Sequence, residues 1–409
     1  MGFLGGVFGS RRKRLGRQAF EMVRDNPAVS VAEYDAANFS IRFQTPGGHR
    51  GVVNLHTALR RCDGVTDAEA EKILRTFVTA DPVLGGPALP EGWDAVAPRL
   101  RPLIRQAGEL SIRIEGLVAS EQMLWRPVLP CLMEIVVIDL PTSMARVHPS
   151  QLDEWGVDAD TVFDTARANL TGTALDTVAS YDPARNGGIS HLPDTDGDYY
   201  AGSLPLVPGW LAGIGAKAGA RPIVFVAANT GVLIGAEYSE RHVVQLVDTA
   251  RELFDRAVRE VSPVPYTVDD SGRLIPYRVP PNHLAARDID FAESTLTSRV
   301  YAQQHNNLSA DVEAGALDFT PQVMHVRAPN GSATTLTTWT DTVPSLLPHA
   351  RNVMLVDRDA SDGFPVPWET LASAVPLTPV EGLYPPRYRA EFHPDAEHMA
   401  RLRAAGGLR

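Results

Sequence analysis

At about 150 residues per domain, a chain of 409 residues has room for two or three folded units. Its 44% hydrophobic and 21% charged residues exclude wholesale disorder. A net charge of −11 argues against nucleic acid as a main partner, because phosphate binding needs a basic face.

No apolar run approaches the roughly 18 residues needed to cross a bilayer. The start, Met1 to Phe8, lacks a basic segment before its short apolar stretch, so no signal peptide is expected. Cys62 and Cys131 lie far apart with no CxxC partner, which disfavours a disulfide framework or a thiolate metal site. These features fit a cytoplasmic protein.

Residues 10–24 read as a helix with Leu15, Ala19, Phe20, Met22 and Val23 on its apolar stripe, stopped by Asn26-Pro27. Val29, Val31, Phe39, Ile41 and Phe43 alternate with polar neighbours and predict a hairpin. Thr66 to Glu69 is a capping box opening a second helix. Prolines and glycines crowd residues 81–98, which read as a linker.

Leu132 to Leu140 is rich in β-branched residues and predicts a buried strand. Asp158 caps a helix carrying Val162, Phe163, Ala166 and Leu170. Three hairpins are then expected: Ile189 to Leu204 through the acidic turn 194–198, Ile223 to Ala236 around Asn229-Thr230-Gly231, and Tyr266 to Val279 through 269–272. Between the last two runs a helix with Val243, Leu246, Val247, Ala250, Leu253, Phe254, Ala257 and Val261 on one face.

Pro280-Pro281 ends that pattern, and a junction is expected at 280–290, with the fragment 1–283 folding alone. Beyond it a helix over Ala292 to Val312 is weakened in its later turns by Asn306 and Asn307. A hairpin through Pro329 to Ser332, a strand at Asn352 to Val356 and a small C-terminal helix follow. The fold class is therefore α+β: hairpins and short antiparallel sheets packed with amphipathic helices. The expected domains are 1–80, the linker 81–98, a central unit 99–283 and a C-terminal extension 284–409.

Several segments carry a family likeness. They are Arg99 to Arg105, the strand from Trp125 to Ala145, Gln151 to Val157 with the helix through Ala166 to Leu170, Asp198 to Leu204, and the Ile223 to Val261 hairpin and helix. Taken together, residues 10–280 resemble the YtpQ-like proteins, a bacterial family of unknown function. The resemblance implies a fold, supplies no catalytic signature and leaves residues 284–409 uncovered.

Candidate chemistry is sparse. Asp194, Asp196 and Asp198 place oxygens close enough for a hard cation, but the glutamate that an EF-hand loop needs is replaced by Ser203. A plain turn is the preferred reading. Gly213 to Gly219 has the wrong polarity for a phosphate loop, with a helix before it and a strand after, and reads as a helix terminus.

No Gly-x-Ser-x-Gly elbow or His-Glu-x-x-His zinc motif occurs. Cys62 follows an arginine pair but reads as an inert residue. Asp139, with Arg105 and Glu134, suggests a polar cleft, against the simpler account of a turn carboxylate. The run Arg11 to Arg14 beside Phe3, Leu4, Val7 and Phe8 offers weak membrane contact worth about 1 kcal/mol per charge, against a solvated terminus.

No catalytic, cofactor-binding or metal-ligating residue is therefore assigned. The leading expectation is a non-enzymatic binding or adaptor protein whose partner is another protein. The alternatives are a metal-dependent or carboxylate-based hydrolase with a site around Asp139 and Asp194 to Asp198, and a peripheral membrane protein held by its N-terminus. Trp339, Trp368, Tyr384 and Tyr388 in the C-terminal region read either as contact residues or as core aromatics.

Overall fold

The computed structural model describes residues 4–408 apart from 37–38, 49, 63, 80–81, 87–88, 115–116, 141–143, 195–199, 230, 258, 329–330, 357–362 and 391. The architecture is α+β, as the periodicities predict. Contacts divide the chain into two units, residues 1–99 with 138–145 and residues 100–137 with 146–409.

In the first unit, α1 (Leu4–Arg24) turns Leu15, Ala19 and Val23 into the core. It begins earlier than expected, because Gly5 and Gly6 hide its first turns from a propensity reading. Strands β1 (Val31–Asp35), β2 (Ser40–Gln44) and β3 (Arg50–Asn54) form an antiparallel meander, which contains the expected hairpin. After the short α2 (His56–Arg61), the capping box opens α3 (Asp67–Val78), where Glu69 N donates to Thr66 Oγ1 at 3.3 Å. Ala70, Leu74 and Val78 of α3 are buried in the same core as Phe39, Ile41 and Phe43. Cys62 is buried there too, its thiol 3.7 Å from the Ala70 carbonyl.

The second unit opens on a sheet ordered β4-β6-β5, from β4 (Leu100–Gln106), β5 (Trp125–Leu129) and β6 (Leu132–Asp139). Asp158 caps α4 (Ala159–Ala168), accepting from Thr161 N at 2.8 Å, and Val162, Phe163 and Ala166 are buried.

The hairpin expected over Ile189 to Leu204 does not form. Instead β7 (Ser190–Pro193) is an edge strand antiparallel to β9 (Gly231–Ala236), and residues 201–206 coil into a 3₁₀ helix. Gly202 to Leu206 are buried without interruption, so the segment lacks the alternation that a half-exposed strand requires. Residues 195–199, with Asp196 and Asp198, lie outside the described residues.

Gly213 and Gly215 sit inside α5 (Trp210–Ala218), and Gly219 ends it at φ 64°. A side chain at Gly215 would stand 2.8 Å from Pro222, which explains the glycine by close packing rather than by a phosphate. The hairpin of β8 (Pro222–Ala228) with β9 forms as expected. Ser239 caps α6 (Glu240–Arg256), and the helix stops before Ala257 and Val261, which the predicted stripe had included. β10 (Tyr266–Val268) and β11 (Leu274–Pro276) complete a sheet ordered β7-β9-β8-β10-β11. Asp269 accepts from Ser271 and Arg273, and those hydrogen bonds hold its carboxyl down at about 2.

The long α7 (Ala286–Glu313) continues through Asn306 and Asn307. Asn307 is compatible with the helix because its Nδ2 donates outward, to Gly108 O and Ser111 Oγ, both at 3.1 Å. Beyond α7 lie β12 (Met324–Arg327), β13 (Ala333–Thr340), β14 (Leu346–Pro348), β15 (Asn352–Val356), β16 (Gly363–Pro367), β17 (Leu377–Pro379) and β18 (Arg387–Ala390). They form two sheets, ordered β12-β13-β15-β16 and β14-β18-β17, with β13 and β15 parallel. The small C-terminal helix spans Ala396–Ala404.

Ala292, Leu296 and Val300 of α7 enter the same cluster as Leu103, Leu132, Ile135, Val224 and Tyr266. Residues 284–409 therefore share a core with the central part, and the contacts do not divide at 280–290. A chain ending at His283 loses those side chains, and each buried Leu or Val is worth about 1.5–3 kcal/mol. Calorimetry on residues 1–283 is expected to show no cooperative transition for the part beyond 100. A fragment melting as sharply as the full chain would show that α7 is dispensable to that core.

Candidate functional site

The carboxylate expected to join Asp139 and Arg105 in a cleft is engaged elsewhere. Glu134, in β6, has no exposed surface. Its Oε1 accepts from Arg167 Nε at 2.8 Å, and its Oε2 accepts from Arg126 Nε at 2.8 Å and an Arg167 amine at 2.6 Å. The Arg126 guanidinium also lies 4.0 Å from the Phe163 ring centre, so a cation–π contact holds it in place. Arg105 is buried in the second unit and donates to Ile104 O, whereas Asp139 groups with the first unit. Both Glu134 oxygens are therefore engaged by arginines.

A better concentration of polar chemistry lies where α7, the end of the β10–β11 hairpin and the residues before β15 meet. These elements line a cavity of about 210 Å³. Glu293, on α7, is gripped from both sides by Arg278 and Arg351. Arg351 also reaches Asp290 at 2.7 Å, and its backbone N donates to Thr335 Oγ1 at 2.8 Å. Partial burial and the neighbouring Arg351 charge lower the Arg278 pKa.

Ser294 lines the cavity at 2% exposure, and its hydroxyl has no hydrogen-bond partner among the described residues. Buried hydroxyls are as a rule hydrogen-bonded, so Ser294 is an exception beside this cavity. Tyr266 contributes a ring whose hydroxyl is already bonded to Ser262 at 2.6 Å. Val264, Leu296 and Pro276 supply apolar wall.

His349 stands at the surface of the same cavity, its ring 4.8 Å from that of Trp368. This packing strips water from part of the ring and lowers its pKa, favouring the neutral imidazole, although the residue remains exposed and solvent screens the effect. His349 N donates to the Tyr301 hydroxyl at 3.1 Å, and that hydroxyl donates to Pro386 O at 2.8 Å.

None of these residues carries a sequence signal. Arg278, Glu293, Ser294, His349 and Arg351 come from three separated stretches and match no motif. The one usable hint is Ser294, a small polar residue between Ala292 and Leu296 on the buried side of α7.

The other sequence candidates are placed differently. Burial pushes the Cys131 thiol up to about 12, so it is no nucleophile at neutral pH. Trp339 and Trp368 are core residues, packed with Leu355 and Val366, and Tyr388 packs against them. Tyr384 donates to Leu129 O at 2.8 Å and lies 5.8 Å from the Trp125 ring. In the first unit Arg12, Lys13, Arg14 and Arg17 line a broad groove, where Arg14 pairs with Asp67 and Arg12 covers Phe39 at 4.6 Å. Phe3 lies outside the described residues.

Among the described residues, no three His, Cys, Asp or Glu side chains gather closely enough to hold a metal ion. No described helix is long and apolar enough to cross a membrane. No family model, no curated protein and no solved structure matches the chain.

Proposed function

We propose that the chain binds a small molecule, in place of the protein-binding or adaptor role that its sequence favours, and that the Arg278–Glu293–Arg351 cavity is its ligand site. The observation that carries this is a cavity flanked by two guanidiniums and lined by Ser294, a buried residue whose hydroxyl has no hydrogen-bond partner among the described residues. Glu293, Ser294, His349 and Arg351 all lie beyond residue 280, outside the stretch that resembles the YtpQ-like family. The site is thus one that the resemblance does not supply. At about 210 Å³ the cavity is smaller than the ~300–1,000 Å³ of drug-sized pockets, which indicates a small polar ligand.

The test is a thermal-shift and calorimetric screen of the full chain against small charged molecules. A ligand at one hundred times its Kd should stabilise the fold by about 2.7 kcal/mol. Ser294→Ala removes a buried group without a partner, so the free protein should melt at or slightly above the parent temperature. The same variant should bind the ligand several-fold more weakly. A marked loss of stability in Ser294→Ala would assign its hydroxyl to the fold. A screen without a saturable binder would refute the proposal.

A further inference from the structure

The charges around the cavity are already balanced before any ligand arrives. Arg278 and Arg351 face Glu293 and Asp290, and the neighbouring His349 favours its neutral form. A plain anion entering here would add a negative charge beside Glu293. A plain cation would compete with two guanidiniums. Either leaves one charge without its partner in a partly desolvated site, which is costly.

The two arginines are not equally fixed. Arg351 is tied to Asp290, Glu293 and Thr335, and its side chain is 36% exposed. Arg278, just beyond β11, is 60% exposed and shares only Glu293 as an ion-pair partner among the described residues. It is the group that can exchange partners while Arg351 keeps Glu293 in place.

Resting on the reading of this cavity as a ligand site, we infer that the ligand is a zwitterion of the α-amino-acid type. Its carboxylate is taken by Arg278 and its ammonium by Glu293 and the Ser294 hydroxyl. A guanidinium presents a planar fork that matches a carboxylate. An ammonium has three donors, and Ser294 Oγ together with the Glu293 oxygens offers acceptors for them. The exchange replaces one ion pair by two and adds no net charge. Val264, Leu296 and Pro276 then face the ligand's side chain. The volume equals about seven waters at ~30 Å³ each, enough for a modest aliphatic side chain.

Calorimetric titration of the full chain with each of the proteinogenic L-α-amino acids tests this. For any that binds, the matching deaminated carboxylate and decarboxylated amine are titrated too, with inorganic phosphate as the plain anion. The expected result is saturable binding of at least one amino acid, at least tenfold tighter than either analogue. Arg278→Gln should weaken it at least tenfold, with the melting temperature of the free protein nearly unchanged.

An analogue without the ammonium that binds equally well would overturn the zwitterion and leave the cavity as an anion site. So would binding of phosphate with no amino acid binding. Amino-acid binding indifferent to both Arg278→Gln and Ser294→Ala would place the ligand elsewhere and also overturn the inference. If nothing in this set binds while the wider screen yields a ligand sensitive to Ser294→Ala, the inference falls and the cavity reading stands. If neither set binds, both fall.

Discussion

Replacing Arg387 by leucine is expected to destabilise the second unit by roughly 3–5 kcal/mol, because three buried acceptors lose their donor at about 1–3 kcal/mol each. Arg387 is fully buried at the start of β18. Its Nε donates to Gln304 Oε1 at 2.7 Å, and one terminal amine donates to Pro321 O at 2.9 Å and Leu346 O at 3.1 Å. Those partners are neutral oxygens. Burial accordingly pushes the guanidinium down to about 10, which still leaves it protonated at neutral pH.

The sum is reduced because leucine also removes a buried charge with no ion-pair partner among the described residues, and one amine that makes no hydrogen bond. Arg387→Lys separates the two contributions. Lysine keeps the charge but has no fork to serve a glutamine on α7 and two carbonyls at once, so it should recover less than half of the loss. Urea unfolding followed by tryptophan fluorescence reads both variants. A leucine variant within about 1 kcal/mol of the parent would mean that the carbonyls find water instead.

The same anchor bears on the cavity. Gln304 also donates to Pro385 O, and Tyr301 joins Pro386 O to His349 N. Arg387 and Tyr301 thus secure the segment 385–387 against α7, and Tyr301 also holds His349 in the wall of the proposed ligand site. Loosening this anchor should weaken ligand binding as well as stability.

What was legible in the sequence follows the range of the interactions involved. The capping box at Thr66, the Asp158 cap and the hairpins around 229–231 and 269–272 depend on residues within a few positions of each other. Local chemistry decides them, and a sequence displays it directly. The 201–206 segment was misread because its apolar content came from burial on all sides rather than from a strand's alternation.

The β13–β15 parallel pair and the β14-β18-β17 sheet join segments whose pairing no turn residue specifies. Residues 284–409 looked like an extension because Pro280-Pro281 interrupts the local pattern. Proline breaks secondary structure without dividing a core, and α7 crosses that break to contribute Ala292, Leu296 and Val300. The cavity was invisible for the same reason. Arg278, Glu293 and Arg351 acquire meaning only when a hairpin, a helix and a strand entry converge.

Glu134 shows the opposite situation, a carboxylate that attracted a chemical reading and is expected to prove structural. Glu134→Ala leaves Arg126 and Arg167 facing each other without the anion between them. Breaking a buried ion pair in this way costs about 3–5 kcal/mol when the remaining charge stays buried. Here Arg126 and Arg167 are 26% and 23% exposed, and Arg126 retains Asp160 at 3.3 Å, so both can turn partly to water. The expected loss is therefore about 3 kcal/mol, at the lower end of that range.

Glu134→Gln keeps the shape but offers a single acceptor oxygen and places two amide hydrogens against guanidinium donors, so it should recover only part of the loss. Replacing Glu134, Arg126 and Arg167 together with methionine or leucine removes all three charges. Well-packed apolar triads of this kind are often neutral or stabilising, so the triple variant should be more stable than Glu134→Ala alone. That ordering, read from urea midpoints, distinguishes a structural clamp from a catalytic carboxylate. A catalytic Glu134 would tolerate glutamine with little change in stability, and a triple variant no better than Glu134→Ala would mean that the arginines serve the fold independently of the carboxylate.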